Sequence, residues 1–219
     1  MNILMGAINI IVVFSVVVLI EKIFKKEGLI AWVSIATITA NLTVGKIIDV
    51  FGMTTTLGNI LFASNFLATD ILVEKYSIED SKKAIYLGLF SQIVFLIITQ
   101  LSLLYIPSSE DVMQDILKEM FSINLRISIA SMLMFFISNM LDIHLFERLK
   151  KKYPKKLWIR NNVSTIVSNC LENYVFNTLA FIGIYSFGTI LGFATTVTIV
   201  EIIIAVCDTP FLYLSKKLK

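Results

Sequence analysis

Seven apolar stretches, each long enough to cross a bilayer, leave this chain of 219 residues little with which to build a water-soluble core. They fall at about 2–20, 29–50, 57–74, 84–106, 122–146, 158–185 and 189–214, and a helix crossing the ~30 Å hydrocarbon layer needs roughly 20 mostly apolar residues. Hydrophobic residues make up 57% of the chain and charged residues 16%, with a mean hydropathy of +0.83. Soluble domains are about half apolar and about a quarter charged. Lipid offers no hydrogen-bond partners, so each span must close its backbone hydrogen bonds internally. The expectation is an all-α, polytopic membrane helical bundle of about seven transmembrane helices. Residues 1–219 form a single membrane domain, a core of six helices plus an additional N-terminal span.

The first stretch is expected to be a true span and not a signal peptide. No basic residue precedes it, and no small-x-small cleavage site ends it before Glu21. Cys170 and Cys207 both fall inside spans, where they serve as small packing residues.

Charge sets the orientation. Lys22, Lys25 and Lys26 lie between stretches one and two, and Lys75, Lys82 and Lys83 between three and four. Arg148, Lys150, Lys151, Lys152, Lys155, Lys156 and Arg160 surround the connection between five and six, and Lys216, Lys217 and Lys219 end the chain. With seven spans, these 16 of the 19 basic residues share one side. The positive-inside rule makes that side cytoplasmic, with the C-terminus inside and the N-terminus outside, as in a protein of the cell membrane. The connection between four and five is acidic, with Glu110, Asp111, Asp115 and Glu119 against Lys118. There Val112, Met113, Ile116, Leu117 and Met120 recur at helical spacing, which predicts a short helix lying on the outer surface. The basic run from Lys150 to Lys156 reads as juxtamembrane lysines touching anionic lipid, with no direct nucleic-acid partner.

Polar residues inside the spans are patterned. A centrally placed acid costs on the order of 3 kcal/mol, so such residues face a bundle interior, a polar partner or water. Asp70 and Glu74 are four apart on one face of stretch three. In stretch six, Asn161, Thr165, Ser168, Asn169 and Glu172 draw one polar stripe along a helix. Asn139 and Asp142 mark stretch five, Glu201 and Asp208 stretch seven, and Asn41, Lys46 and Asp49 stretch two, where Lys46 and Asp49 are spaced for an intrahelical ion pair. Stretches one and four lack such charges and are expected outside the polar core.

Asn65, Asn169, Glu172 and Glu201 fall near mid-membrane and suit a substrate site. Asp70, Glu74, Asp142 and Asp208 fall toward the cytoplasmic end and suit an inner gate or structural pairs with Arg148 or Arg160, and Glu74, Glu201 and Asp208 are the candidates for ion coupling or the gate. Glu74 and Glu147 read equally as solvated boundary charges, and Asn41, Asn65 and Asn139 equally as hydrogen-bonding glue between helices. His144 lacks a metal-ligand companion and reads as interfacial. Trp32 and Trp158 read as anchors in the aromatic belt. Gly188 and Gly192, like Ala36 and Ala40, are small-xxx-small pairs that read as tight packing within the bundle. No HExxH, nucleophile elbow, P-loop or dinucleotide fingerprint occurs, so neither an enzyme nor a cofactor is expected. Transport would be driven by an ion gradient, by facilitated diffusion with trapping, or by a separate ATPase.

Four motifs occur in order. These are Leu67-Ala68-Thr69-Asp70-Ile71-Leu72-Val73-Glu74; Leu141-Asp142-Ile143-His144-Leu145-Phe146 before a basic loop; Leu157-Trp158 through Ser164-Thr165 to Leu179-Ala180-Phe181; and Asp208-Thr209-Pro210-Phe211 with Tyr213. Together they resemble the queuosine precursor transporter family, also called the vitamin uptake transporter family, across stretches two to seven. The resemblance implies an importer of deazaguanine bases or queuine for insertion into tRNA. Glu172 or Asp70 would accept the donors of a guanine-like edge, and Asn169 or Asn41 would meet its carbonyl and ring acceptors. Asp142 or Asp208 would take a precursor amine. Departures from the family pattern are Phe62-Ala63, where a proline often follows the phenylalanine; Glu172-Asn173, where Asp-Thr is common; and Glu201, near a common basic position. The additional first span suggests an anchoring or homo-oligomer role. The alternative function is a substrate-binding subunit of an energy-coupling-factor transporter. It would need an ATPase partner, which Ala36 and Ala40 could meet.

Overall fold

A break at Lys25 turns the longest helix back on itself. The computed structural model describes residues 1–43, 46–50, 53–121 and 125–218. In it, helix α1 runs Asn2–Thr43, with Lys25 at φ 55° and ψ −141°. A straight helix of that length would measure about 63 Å, twice the hydrocarbon layer. Instead the chain reverses at Lys25, and Asn2 Nδ2 donates to the Asp49 carbonyl at 3.0 Å, at the far end of the hairpin. The close approach requires Gly28, where a Cβ would lie 2.5 Å from Ile20 Cγ2 and 2.9 Å from the Ile20 carbonyl oxygen. The two arms correspond to the first two apolar stretches.

The second stretch stops short of its expected end. The helix ends at Thr43, and β1 (Ile47–Val50) pairs antiparallel with β2 (Met53–Thr56), Ile47 opposite Thr56 and Val50 opposite Met53. Ile47, Ile48, Val50 and Thr54–Thr56 are β-branched, which favours a pleated strand over a helix. Asp49 thus opposes Thr54, so Lys46 and Asp49 do not share the helix that an intrahelical pair would need. The bundle is therefore helical with one small hairpin added.

Helix α2 (Asn59–Lys75) is the central post. Every residue from Ala63 to Val73 is buried, as in a helix packed on all sides, and it touches α1, α3 (Ile78–Leu103), α5 (Leu125–Lys152) and α7 (Phe187–Lys217). Trp32 is buried against it and donates to Ser64 Oγ at 3.0 Å, which corrects its reading as a belt anchor; Trp158 is exposed. Ser77 caps α3 by accepting from the Asp80 backbone N–H. The short surface helix is present as α4 (Gln114–Phe121), tied to α3 through Gln100 Nε2 and the Phe121 carbonyl at 2.9 Å.

Helices α5, α6 (Leu157–Phe181) and α7 follow one another antiparallel through short connections. Arg126, one of the few basic residues away from the lysine-rich end, caps α6 by donating to the Leu179 and Ile182 carbonyls at 2.6 and 2.8 Å. Four helices, α1, α3, α5 and α7, are long and apolar enough to cross a membrane by length and composition. Helix α2 has 17 residues, and α6 carries the polar stripe. The outward faces of α1, α3 and α7 are apolar, with Ile8, Ile11, Phe90, Ile97, Ile98, Ile199 and Ile203 exposed, a surface suited to lipid.

The lysine-bearing connections meet at one end. Lys26 pairs with Asp80, Lys75 with Glu21, and Lys150 and Lys216 with Glu74; Lys219 lies outside the described residues. Ala36 and Ala40 are fully buried, in line with packing inside the bundle. Gly188 and Gly192 are not so packed, because a Cβ on either would meet nothing within 4 Å. His144 is exposed, and its Nδ1 contacts the Met140 carbonyl.

Candidate functional site

The α6 stripe faces inward. Asn161, Thr165, Ser168 and Asn169 are all buried, and the acids of α2, α5, α6 and α7 fall into two tiers.

The lower tier joins four helices. Asn161 Nδ2 donates to Asp208 Oδ1 and, at 3.0 Å, to Thr209 Oγ1 on α7, while Asn162 Nδ2 donates to the same threonine at 2.8 Å. Pro210 follows inside α7, so the α6 amides clamp the helix where proline removes one of its own hydrogen bonds. Thr165 Oγ1 donates to Asp142 Oδ1 at 3.3 Å. Across from it, the Asp70 and Asp142 carboxyl groups face each other at hydrogen-bonding range, with Asp208 near enough to add its charge. All three aspartates are 0% exposed. Both Asp70 oxygens, Asp142 Oδ2, Asp208 Oδ2 and Asn161 Oδ1 have no hydrogen-bond partner among the described residues.

The upper tier lies about 10 Å away, seven residues back along α7 at 1.5 Å per residue. Ser138 Oγ donates to Glu172 Oε2 at 2.6 Å, and Asn173 Nδ2 to Glu201 Oε2 at 2.6 Å. The two glutamates are close enough to interact electrostatically. Asn139 donates to the Phe135 carbonyl, and among the described residues its Oδ1 and the Ser168 Oγ have no hydrogen-bond partner. No acid of either tier forms an ion pair among the described residues.

The asparagines divide between two places. Asn65 Nδ2 donates to Thr37 Oγ1 at 3.1 Å, and Asn41 Nδ2 to the Thr37 carbonyl at 2.9 Å. The reading as helix-joining glue fits Asn65, which ties α2 to α1 at Thr37, whereas Asn41 bonds back within α1. Asn139 and Asn169 are buried on α5 and α6, the helices that carry Asp142 and Glu172.

Glu74 does not join Asp70 in the lower tier. Its carboxylate is 6% exposed and contacts Arg160 Nη2 at 2.8 Å, Lys150 Nζ at 3.8 Å and Lys216, which overturns its reading as a solvated boundary charge. Arg160 is almost fully buried, donates to the Pro154 carbonyl at 3.2 Å and stacks over Phe146. Asp142 and Asp208, for which Arg148 or Arg160 was an expected partner, take neither, because Glu74 holds the guanidinium and their bonds go to Thr165 and Asn161.

A second ion cluster at this end escaped the sequence reading. Glu21, 1% exposed, pairs with Lys75 at 2.8 Å and accepts from Tyr76 at 2.8 Å and from Ser215. Burial and the hydrogen bond to Glu21 push the Tyr76 phenol up, which keeps it a donor. Lys75 also donates to the Ser215 and Leu218 carbonyls at 2.8 and 2.9 Å, tying the end of α7 to the end of α2. The signal was available: Phe14, Val17, Val18 and Glu21 lie at i, i+3, i+4 and i+7, so the acid continues the buried face.

The site offers many acceptors and few donors. It would hold a ligand rich in N–H groups or bearing positive charge. Among the described residues no three His, Cys, Asp or Glu side chains converge as a metal site.

Comparison with known proteins agrees with a membrane transporter. A family model described as "Putative vitamin uptake transporter" matches residues 56–215, which take in both acid tiers. A Bacillus subtilis (strain 168) protein named "Probable queuosine precursor transporter" is 34% identical over 210 residues, covering 95% of this chain and 92% of that protein. A Haemophilus influenzae protein of the same name is 28% identical over 145 residues, covering 66% of this chain and 59% of that protein. No solved structure matches. The chain is a multi-pass membrane protein that belongs to the vitamin uptake transporter family.

Proposed function

We propose that this protein is a secondary transporter that imports a queuosine precursor, a deazaguanine base or queuine, for salvage into tRNA. The observation that carries the reading is the set of buried acceptors without partners on α2, α5, α6 and α7. A guanine-like edge presents adjacent N–H donors that a carboxylate accepts in pairs, and a carbonyl that an amide can meet. Glu172, steadied by Ser138, and Asn169 one turn away on the same stripe suit those roles near mid-membrane. Asp70, Asp142 and Asn139 line the way toward the lysine-rich end. Glu201 and Asp208 face the same interior and remain with ion coupling, while Glu74, locked to Arg160, suits a closed inner gate. The names of the two relatives support the substrate class.

In this reading the arms of α1 and helices α2, α3, α5, α6 and α7 make seven spans. The end that gathers Lys26, Lys75, Lys150 and Lys216 is cytoplasmic by the positive-inside rule. The ATPase-dependent alternative loses the docking face assigned to it, because Ala36 and Ala40 are buried inside the bundle.

The test is queuosine in tRNA of a host unable to make the base, supplied separately with each deazaguanine precursor and with queuine. Expression of this protein should restore queuosine at low external concentration with at least one of them. No rescue by any base refutes the substrate class, and rescue only alongside energy-coupling-factor ATPase subunits favours the alternative.

A further inference from the structure

We propose that Asp70 and Asp142, with Thr165, Asn161 and Asp208 around them, form a binding site for one monovalent positive charge in the lower tier. The inference rests on the transporter reading only for what the site drives; binding itself does not depend on the substrate.

Two carboxyl groups meet across the α2–α5 contact with nothing but acceptor oxygens between them. Such a contact needs a proton or a cation to bridge it. Thr165 donates to Asp142 Oδ1 and Asn161 to Asp208 Oδ1, and the Ser164 hydroxyl is a further hydrogen-bonding neighbour of Asp142. The charged groups that face Asp70 are Asp142 from α5, Asp208 from α7 and, along its own helix, Glu74, all of them acids. Arg160 on α6 and Lys150 on α5 lie nearby but are committed to Glu74 and to backbone carbonyls. The tier therefore lacks an internal counter-charge, and acids buried in this way are found neutralised or bridged.

Asn161 points to a ligand independently of the acids. It is fully buried, its amide nitrogen is fixed by Asp208 and Thr209, and its carbonyl oxygen has no partner. A neutral oxygen next to the Asp208 carboxyl is the ligand type of a hard monovalent cation or an ammonium group. The geometry argues against a divalent cage, since among the described residues no three acids lie close enough to hold a metal ion together. The charge can come from bulk sodium, from a proton, or from the amine of a substrate, and the experiment separates these.

The full chain is purified, tested for radiosodium binding against choline, and reconstituted in vesicles for uptake of labelled aminomethyl- and cyano-deazaguanine under a sodium gradient, a pH gradient or neither. Asp70→Asn and Asp142→Asn are compared with wild type, and both must elute as monodisperse, folded protein. Sodium-driven or pH-driven accumulation that falls by about tenfold or more in both variants, the worth of one charge-assisted contact, assigns sodium or the proton. Gradient-independent uptake in which the variants lose the aminomethyl base and keep the cyano base assigns the substrate amine. Wild-type uptake that both variants reproduce for both bases overturns the site and leaves the transport reading intact. Radiosodium binding lost in both variants, with no uptake of any base by wild type, supports the site and refutes the substrate reading. Neither binding nor uptake by wild type refutes both.

Discussion

Replacing Glu74 by glutamine tests the ion cluster at the lysine-rich end most directly. The carboxylate is 6% exposed and is the anionic partner of Arg160, whose side chain is 2% exposed and whose Nη2 lies 2.8 Å away. Lys150 and Lys216 also contact it, but their side chains are 33% and 48% exposed and gain little from the pair once water screens them. The loss should therefore come mainly from the stranded guanidinium. Glutamine keeps the shape and one acceptor oxygen but removes the charge, and breaking a buried pair from one side costs about 3–5 kcal/mol. The assay is thermal unfolding of purified Glu74→Gln in detergent, followed by size-exclusion fluorescence, with Arg160→Met and the double variant completing a cycle. Glu74→Gln should unfold well below wild type, and the double variant should recover part of the loss, because methionine removes the stranded charge and still packs on Phe146. A melting temperature unchanged in Glu74→Gln, or a double variant no more stable than that single, would refute the reasoning.

Three further outcomes follow from other contacts. Lys75→Met leaves Glu21 buried without its cation and frees the Ser215 and Leu218 carbonyls, so the α7 end should loosen, with a cost of about 3 kcal/mol; trypsin should then cut at Lys216 and Lys217 faster than in wild type, and unchanged cleavage would count against the tie. Gly28→Val should destabilise the α1 turn by about 1–3 kcal/mol through overpacking against Ile20, whereas Gly6→Val, with open space around it, should not; equal melting temperatures of the two variants would contradict the tight turn. The Tyr76 phenol is raised above its ordinary value of 10.0, so the stability it lends is full below that pH and lost as the pH rises through the raised value; alkaline unfolding profiles of wild type and Tyr76→Phe should diverge at neutral pH and converge at high pH.

Much of the architecture was legible because lipid allows few solutions. Apolar runs of membrane length mark helices, and the stripe from Asn161 to Glu172 could not face hydrocarbon, so its inward orientation followed from spacing alone. The runs were less informative where another solution existed. At residues 47–56 the same apolar and β-branched composition serves a hairpin as well as a helix end, and only pairing partners decide between them. Trp32 looked like a belt anchor because its neighbours are apolar. The Ser64 hydroxyl across the contact with α2 makes it a core residue.

The sequence by itself determined the solvent, the helix-forming segments, the basic end and the inventory of buried acids, since each depends on local composition and period. Tertiary structure decided how that inventory is shared. It gave Arg160 to Glu74 and Lys75 to Glu21, moved Asn41 and Asn65 to Thr37, and left Asp70 and Asp142 facing each other, with the Asp208 charge nearby and no ion pair among the described residues. The physical reason is that a buried charge is stabilised by the particular atoms within a few ångströms of it, and those atoms come from other helices, far away along the chain.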